Sequence, residues 1–187
     1  MNKFTLLIFM MLCFNSGCIK QNFNRTLYFD DVHFKGKVVV EKIEKLDKYR
    51  ISIFDSRNGK TNCINTPYEI FQFEKGDVNH DGKTDLCIGI IKPCPLDPVF
   101  RKRLFIYQID HDCIRPLWLS SRLVHPMEKF KVVQSIDGQC HIKTIEHVGK
   151  DLYCLNEYNW ESFGMAFLRK HNDSISYTKA CDFLNKQ

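Results

Sequence analysis

The chain has 187 residues, 44% hydrophobic and 26% charged, a balance that excludes a disordered polymer and leaves room for one domain or two small ones. Its formal net charge of +5 is spread along the chain without a long Lys/Arg block, which falls short of the footprint of a nucleic-acid binder. Aromatics reach 13%, and Ala166 and Ala180 are the only two alanines, so the composition leans toward strands.

The N-terminus reads as a targeting segment. Lys3 supplies a short positive start, residues 4–14 form an apolar run too short to span a bilayer, and Ser16-Gly17-Cys18 follows. This pattern resembles a bacterial lipoprotein signal, with Asn15 standing where that family usually has Leu. The resemblance implies cleavage after residue 17, lipidation of Cys18 and a cell-envelope protein attached to the membrane through its lipid. An ordinary cleaved secretory signal is the alternative, and would give a secreted or periplasmic protein. Residues 18–26 are polar and read as a tether, which leaves residues 27–187 as a single β domain.

Strand-like segments then recur. Residues 37–43 and 49–54 are β-branched and partly alternating, and 63–74 continues the pattern. Residues 84–91 are a near-continuous apolar run, and 103–109 alternates. Segments 114–123, 130–136, 140–148, 151–160 and 163–170 follow. Asn58-Gly59, Asp81-Gly82, Asp137-Gly138 and Gly149-Lys150 mark turns between them. The expectation is an antiparallel all-β domain, with one short helix over 177–187 and a single helical turn over 125–130.

A degenerate repeat underlies these segments. "KYRISIFDSRNGKTNCI", "KRLFIYQIDHDCIRPLWL" and "DLYCLNEYNWESFGMAFL" follow one course, with starts about 50 residues apart, a propeller-like period. "DGKTDLCIGI" and "DGQCHIKTI" are a second echo inside the units. Three units cannot close a normal propeller, so blade-like units in an open or sandwiched assembly are expected.

The stretch "GDVNHDGKTDLCIG" carries the clearest chemistry. Calcium takes six to eight oxygens, and Asp77, Asn79, Asp81 and Asp85 fall at alternate loop positions, with the Lys83 carbonyl between the last two and Gly82 at the bend. An EF-hand would need a bidentate Glu at the twelfth position, where Ile88 stands, and a helix after the loop, where the residues read as strand. The stretch resembles the FG-GAP/VCBS repeat of integrin-α-type propeller blades, over at most residues 70–120. That resemblance implies one calcium site made by Asp77, Asn79, Asp81, Asp85 and the backbone oxygen of Lys83. The competing reading is an Asp-Gly turn without metal. In the second echo Val133, Ser135 and His141 replace three of the oxygen-bearing side chains, so a second site is not expected. The whole chain resembles Bacteroidetes-type envelope proteins, a likeness from which no function follows.

Other features weigh less. Residues 92–103 hold three prolines and end in Arg101, Lys102 and Arg103, either a partner-binding loop or a solvated hairpin. Trp118, Trp160, Tyr158 and Phe163 suit a sugar-stacking platform but fit strand cores better. Phe163-Gly164 marks a bulge or close backbone approach. Beyond Cys13 and Cys18 seven cysteines remain, an odd number without zinc spacing, most of them inside apolar runs, and Cys94 lies between two prolines. There is no nucleophile elbow, zinc-protease motif or phosphate loop. His125, His141 and His147 are scattered, and Glu146, Glu157 and Glu161 define no dyad by spacing. The reading is a non-catalytic module with a protein or glycan ligand. A small envelope hydrolase acting on glycan or peptidoglycan is the alternative.

Overall fold

The computed structural model describes residues 24–186, apart from 58, 96, 111–112, 120–122 and 136–137. The signal segment, Cys18, most of the tether and the turn residues Asn58 and Asp137 lie outside the described residues.

Twelve strands are followed by one helix. The first sheet contains β1 (Asn24–Asp30), β2 (Lys35–Ile43), β3 (Lys48–Asp55) and β4 (Gly59–Thr66), with a short 3-10 turn, Glu44–Leu46, between β2 and β3. The second contains β5 (Glu69–Gly76), β6 (Asp85–Cys94), β7 (Asp97–Asp110) and β8 (Cys113–Leu119). The third contains β9 (Met127–Gln134), β10 (Cys140–Gly149), β11 (Leu152–Glu161) and β12 (Gly164–Ile175), and the helix α1 (Tyr177–Asn185) ends the chain. Each sheet is a four-stranded meander whose neighbours in sequence are neighbours in space, and every pairing is antiparallel. The fold is therefore all-β and antiparallel, built from three blade-like units with no closed barrel.

The sheets stack in a row. One core joins the first and second sheets, from Val38, Val40, Ile51 and Ile53 to Ile70, Phe73, Leu86 and Ile88. A second joins the second and third sheets through Cys87, Leu104, Ile106, Phe130 and Ile142. A third joins the third sheet to α1 through Ile145, Leu155, Ala180 and Leu184. This stacking explains the sequence patterns. β6 belongs to the middle sheet, so Leu86 and Ile88 face one core and Cys87 the other, and the run has no polar face. β2 belongs to an outer sheet, so it buries Val38 and Val40 and leaves Val39 half-buried. In α1, Ala180 and Leu184 recur at four-residue spacing and form the stripe that the third sheet covers.

Several sequence expectations change. Segment 63–74 is not one strand: Pro67-Tyr68 breaks it into β4 and β5, which belong to different sheets. Proline has no N–H for a ladder and restricts the residue before it. Residues 24–26 of the expected tether already pair with β2. Residues 127–130 of the expected helical turn start β9 instead.

Candidate functional site

The loop over residues 77–84 connects β5 to β6 and is folded by its own side chains. Asp77 accepts the Asp81 N–H through Oδ1 at 3.1 Å and the Gly82 N–H through Oδ2 at 2.9 Å. Asp81 Oδ1 accepts the Lys83 N–H at 2.9 Å, and Asn79 Oδ1 lies 3.4 Å from the Asp81 nitrogen. His80 and Gly82 take left-handed backbone angles, φ 61° and 83°, which bend the loop twice. Val78 anchors it, fully buried in the core between the second and third sheets. Asp31, in the β1–β2 turn, braces it from the side by accepting the Thr84 N–H at 3.0 Å. Burial works to raise the Asp31 carboxyl, but hydrogen bonds from Phe34, Thr84 and His33 hold it below its ordinary value.

Asp85 lies beneath the loop at 0% exposure. Its Oδ2 accepts the Val78 N–H at 3.0 Å, while its Oδ1 is buried without a hydrogen-bond partner. Burial, and then the charges of Asp81 and Asp77, push its pKa up to about 7 against the Val78 and Asn79 N–H groups that lower it. Three of the four side chains named from the sequence thus belong to this loop, and the fourth, Asp85, begins β6 beneath it. Among the described residues, however, no three His, Cys, Asp or Glu side chains form a ready metal cage. Asp77 and Asp81 turn their oxygens to backbone N–H groups, and Asp81 Oδ2 accepts from the Gln108 amide. The fit to a hard cation rests on the orphaned oxygen of Asp85, set among groups whose negative charge disfavours its ionisation.

The three basic residues after the prolines are engaged within the chain. β6 runs to Cys94 and β7 begins at Asp97, so the stretch is a hairpin tip rather than a long irregular loop. Arg103 is 4% exposed; its guanidinium donates to Lys92 O at 2.8 Å, Asp97 O at 3.1 Å and Asp97 Oδ2 at 3.0 Å, stapling the tip. Arg101 pairs with Asp97 at 3.2 Å. Lys102 reaches Glu128 on the third sheet and lies 5.2 Å from the Phe71 ring centre. Of the aromatic candidates, Trp118 and Trp160 pack against the core between the second and third sheets, Tyr158 is buried, and Phe163 is 88% exposed at the β11–β12 turn.

The third sheet holds two carboxylates whose roles were not legible in the sequence. Glu146 accepts from the His125 N–H at 2.7 Å, Asn156 Nδ2 at 3.0 Å, Tyr158 Oη at 2.7 Å and Thr144 Oγ1 at 2.5 Å. Glu157 follows Asn156 in β11 and so points to the opposite face, where His141 Nδ1 lies 2.7 Å away, Arg169 Nε donates at 2.8 Å, and His171 also hydrogen-bonds. Burial would raise the Glu157 carboxyl, but Arg169, His141, His171 and Lys143 hold it at about 2. The signal that could have found them is an acid in the interior of each of two strand-like segments, "CHIKTIEHV" and "DLYCLNEYNW".

An open cleft of about 420 Å³ lies where the sheets' first strands meet. Arg25 of β1, residues 71–74 of β5, Lys102 of β7, Glu128 and Lys129 of β9, and Tyr177 of α1 line it. In its wall, Gln72 and Glu74 close the free edge of β9: Gln72 Oε1 accepts the Phe130 N–H at 3.2 Å and Glu74 Oε2 accepts the Val132 N–H at 2.7 Å. No protein-family model, curated protein or solved structure matches the chain.

Proposed function

We propose that the protein is a non-catalytic binding or scaffolding module of the cell envelope, anchored through a lipid on Cys18 and stabilised by one calcium ion in the β5–β6 loop. The observation that carries the metal is Asp85, whose buried Oδ1 has no partner and whose ionisation is opposed by Asp81 and Asp77. A divalent cation would answer all three carboxylates, with Asn79 Oδ1 and the Lys83 carbonyl completing the oxygen set. In this reading the ion locks the turn that joins two strands of the middle sheet.

The disposition of the acids supports binding over hydrolysis. Glu146 and Glu157 point to opposite faces of one sheet and form no dyad. Glu74 and Glu128 line the same cleft, but each has both oxygens committed: Glu74 to Gln72 and the Val132 N–H, Glu128 to Lys102 and His147. Two such acids serve better as fixed acceptors than as proton carriers.

Calorimetric titration and thermal melting with millimolar calcium test the site. Calcium in hundredfold excess over its Kd is expected to stabilise the chain by about 2.7 kcal/mol. Asp81→Ala is expected to lose both heat and stabilisation. Absence of heat in the parent chain, or an unchanged response in the variant, overturns the calcium reading.

A further inference from the structure

The β6–β7 hairpin continues past the body of its sheet. Glu69, the first residue of β5, pairs with Ile91, whereas β6 runs on to Cys94 and β7 starts at Asp97. In this projecting ribbon Val99 is 51% and Phe100 66% exposed. Neighbouring strand residues point to opposite faces, so the ribbon stands clear of the sheets on both sides. The Phe100 ring lies 6.3 Å from the Tyr68 ring, over which the Lys92 ammonium sits at 5.1 Å. Part of the ribbon's backbone polarity is answered within it. Pro93, Pro95 and Pro98 carry no N–H. The buried Arg103 donates to the carbonyls of Lys92, Asp97 and Val99. An apolar tip with backbone donors removed and acceptors met suits a medium without water.

The other end of the stack also has exposed apolar side chains, Val32 and Phe163, so exposure alone does not choose between the ends. The direction of β1 does. Lys75, near the end of β5, donates to the Tyr28 carbonyl, and Asp31 braces Thr84, so β1 runs alongside β5 in the same sense. Asn24 therefore lies at the end from which the ribbon projects. Six residue steps separate it from Cys18, a reach of about 20 Å at full extension. A chain anchored through Cys18 turns the ribbon toward the bilayer, together with the exposed Leu46 of the β2–β3 turn and Leu152 at the start of β11. The acidic 77–85 loop is then held at the far end. We propose that the β6–β7 tip is a membrane-docking wedge: Val99 and Phe100 enter the acyl region of the lipid surface, and Tyr68 and Lys92 sit at headgroup level. The inference rests on the lipid-anchor reading and uses neither the calcium loop nor the cleft.

The test reconstitutes the full chain into vesicles of phosphatidylethanolamine and phosphatidylglycerol whose acyl chains carry bromine, a short-range quencher of indole fluorescence. Trp118 and Trp160 pack against the core between the second and third sheets and set the baseline. Phe100→Trp is expected to lose the greater part of the fluorescence it adds to the parent, and Phe163→Trp, at the far end, to keep it. Val99→Asp in the Phe100→Trp background is expected to reverse the loss, because a carboxylate is costly in the acyl region. Melting curves establish that each variant is folded. The proposal is overturned if Phe100→Trp is quenched no more than the parent, as it would be with a protein partner on the tip, if Phe163→Trp is quenched as strongly, or if Val99→Asp changes nothing. Incorporation of labelled fatty acid, compared with Cys18→Ser, tests the anchor separately. Acylation without quenching leaves the anchor standing and the wedge overturned, and quenching without acylation does the reverse.

Discussion

Two buried carboxylates are driven in opposite directions, and the difference sets two separate pH windows. Asp85 has a folded pKa near 7, raised from an ordinary 3.8 by burial and by its acidic neighbours. A raised acid contributes stability below its unfolded pKa and loses it as pH rises through the folded value. Denaturant melts of the metal-free chain are therefore expected to show Asp85 weakening the fold between pH 4 and 7, at a slope of up to about 1.4 kcal/mol per pH unit. Asp85→Asn is expected to remove that slope and, with it, the response to calcium; an unchanged slope contradicts the assignment. Glu157 behaves in the opposite sense, because its folded pKa lies near 2 against an ordinary 4.5. Its contribution is complete above pH 4.5 and is lost as pH falls toward 2. Replacing it by Gln removes the carboxylate charge that Arg169 and Lys143 share. The expected cost is about 3 kcal/mol, at the low end for a buried pair because the Arg169 side chain is 57% exposed. A urea midpoint equal to that of the parent rules this out.

At the scale of strands, the spacing between sheets is governed by small residues. A Cβ on Gly76 would lie 2.5 Å from Val132 Cγ1, so the end of β5 approaches β9 more closely than any side chain permits. Gly76→Ala is expected to cost about 2 kcal/mol through overpacking and to loosen β9, measured as a lower Tm and faster amide exchange at Phe130 and Val132. An unchanged Tm and exchange pattern would mean that the neighbours yield freely. The repeat units read from the sequence coincide with β3–β4, β7–β8 and β11–β12, the last two strands of each sheet. Their period was visible because each hairpin repeats the same alternation. β1 was not visible, because Asn24, Arg25 and Thr26 resemble a linker until β2 is placed beside them. The setting of the charges of residues 101–103 was hidden for a similar reason. Sequence displays three cations but not their pairing with Asp97, at the start of the same strand, and with Glu128 on another sheet.

The molecule as a whole is a row of three sheets with α1 covering one end. Leu184 is fully buried against Ile145 and Leu155, and the Lys131 ammonium donates to its carbonyl at 3.2 Å. Leu184→Ala is expected to cost about 3 kcal/mol and to expose the outer face of the third sheet to a hydrophobic dye. A variant as stable as the parent, with no added dye binding, would show that the helix is not needed to cover that face. The cleft also exists only at this scale, since its walls come from residues as distant as Arg25 and Tyr177.

The sequence by itself determined the elements and their kind. Alternation, Asp-Gly turns and scarce alanine made the domain β, a recurring course of residues divided it into blade-like units, and oxygen-bearing side chains at alternate positions marked the 77–85 loop. These are local properties, carried by neighbours along the chain. Only the tertiary structure decided which charges were already paired, which acid lay buried with an unanswered oxygen, and where three sheets left a cleft. Those follow from burial and from contacts between residues far apart in sequence, and no local pattern records them.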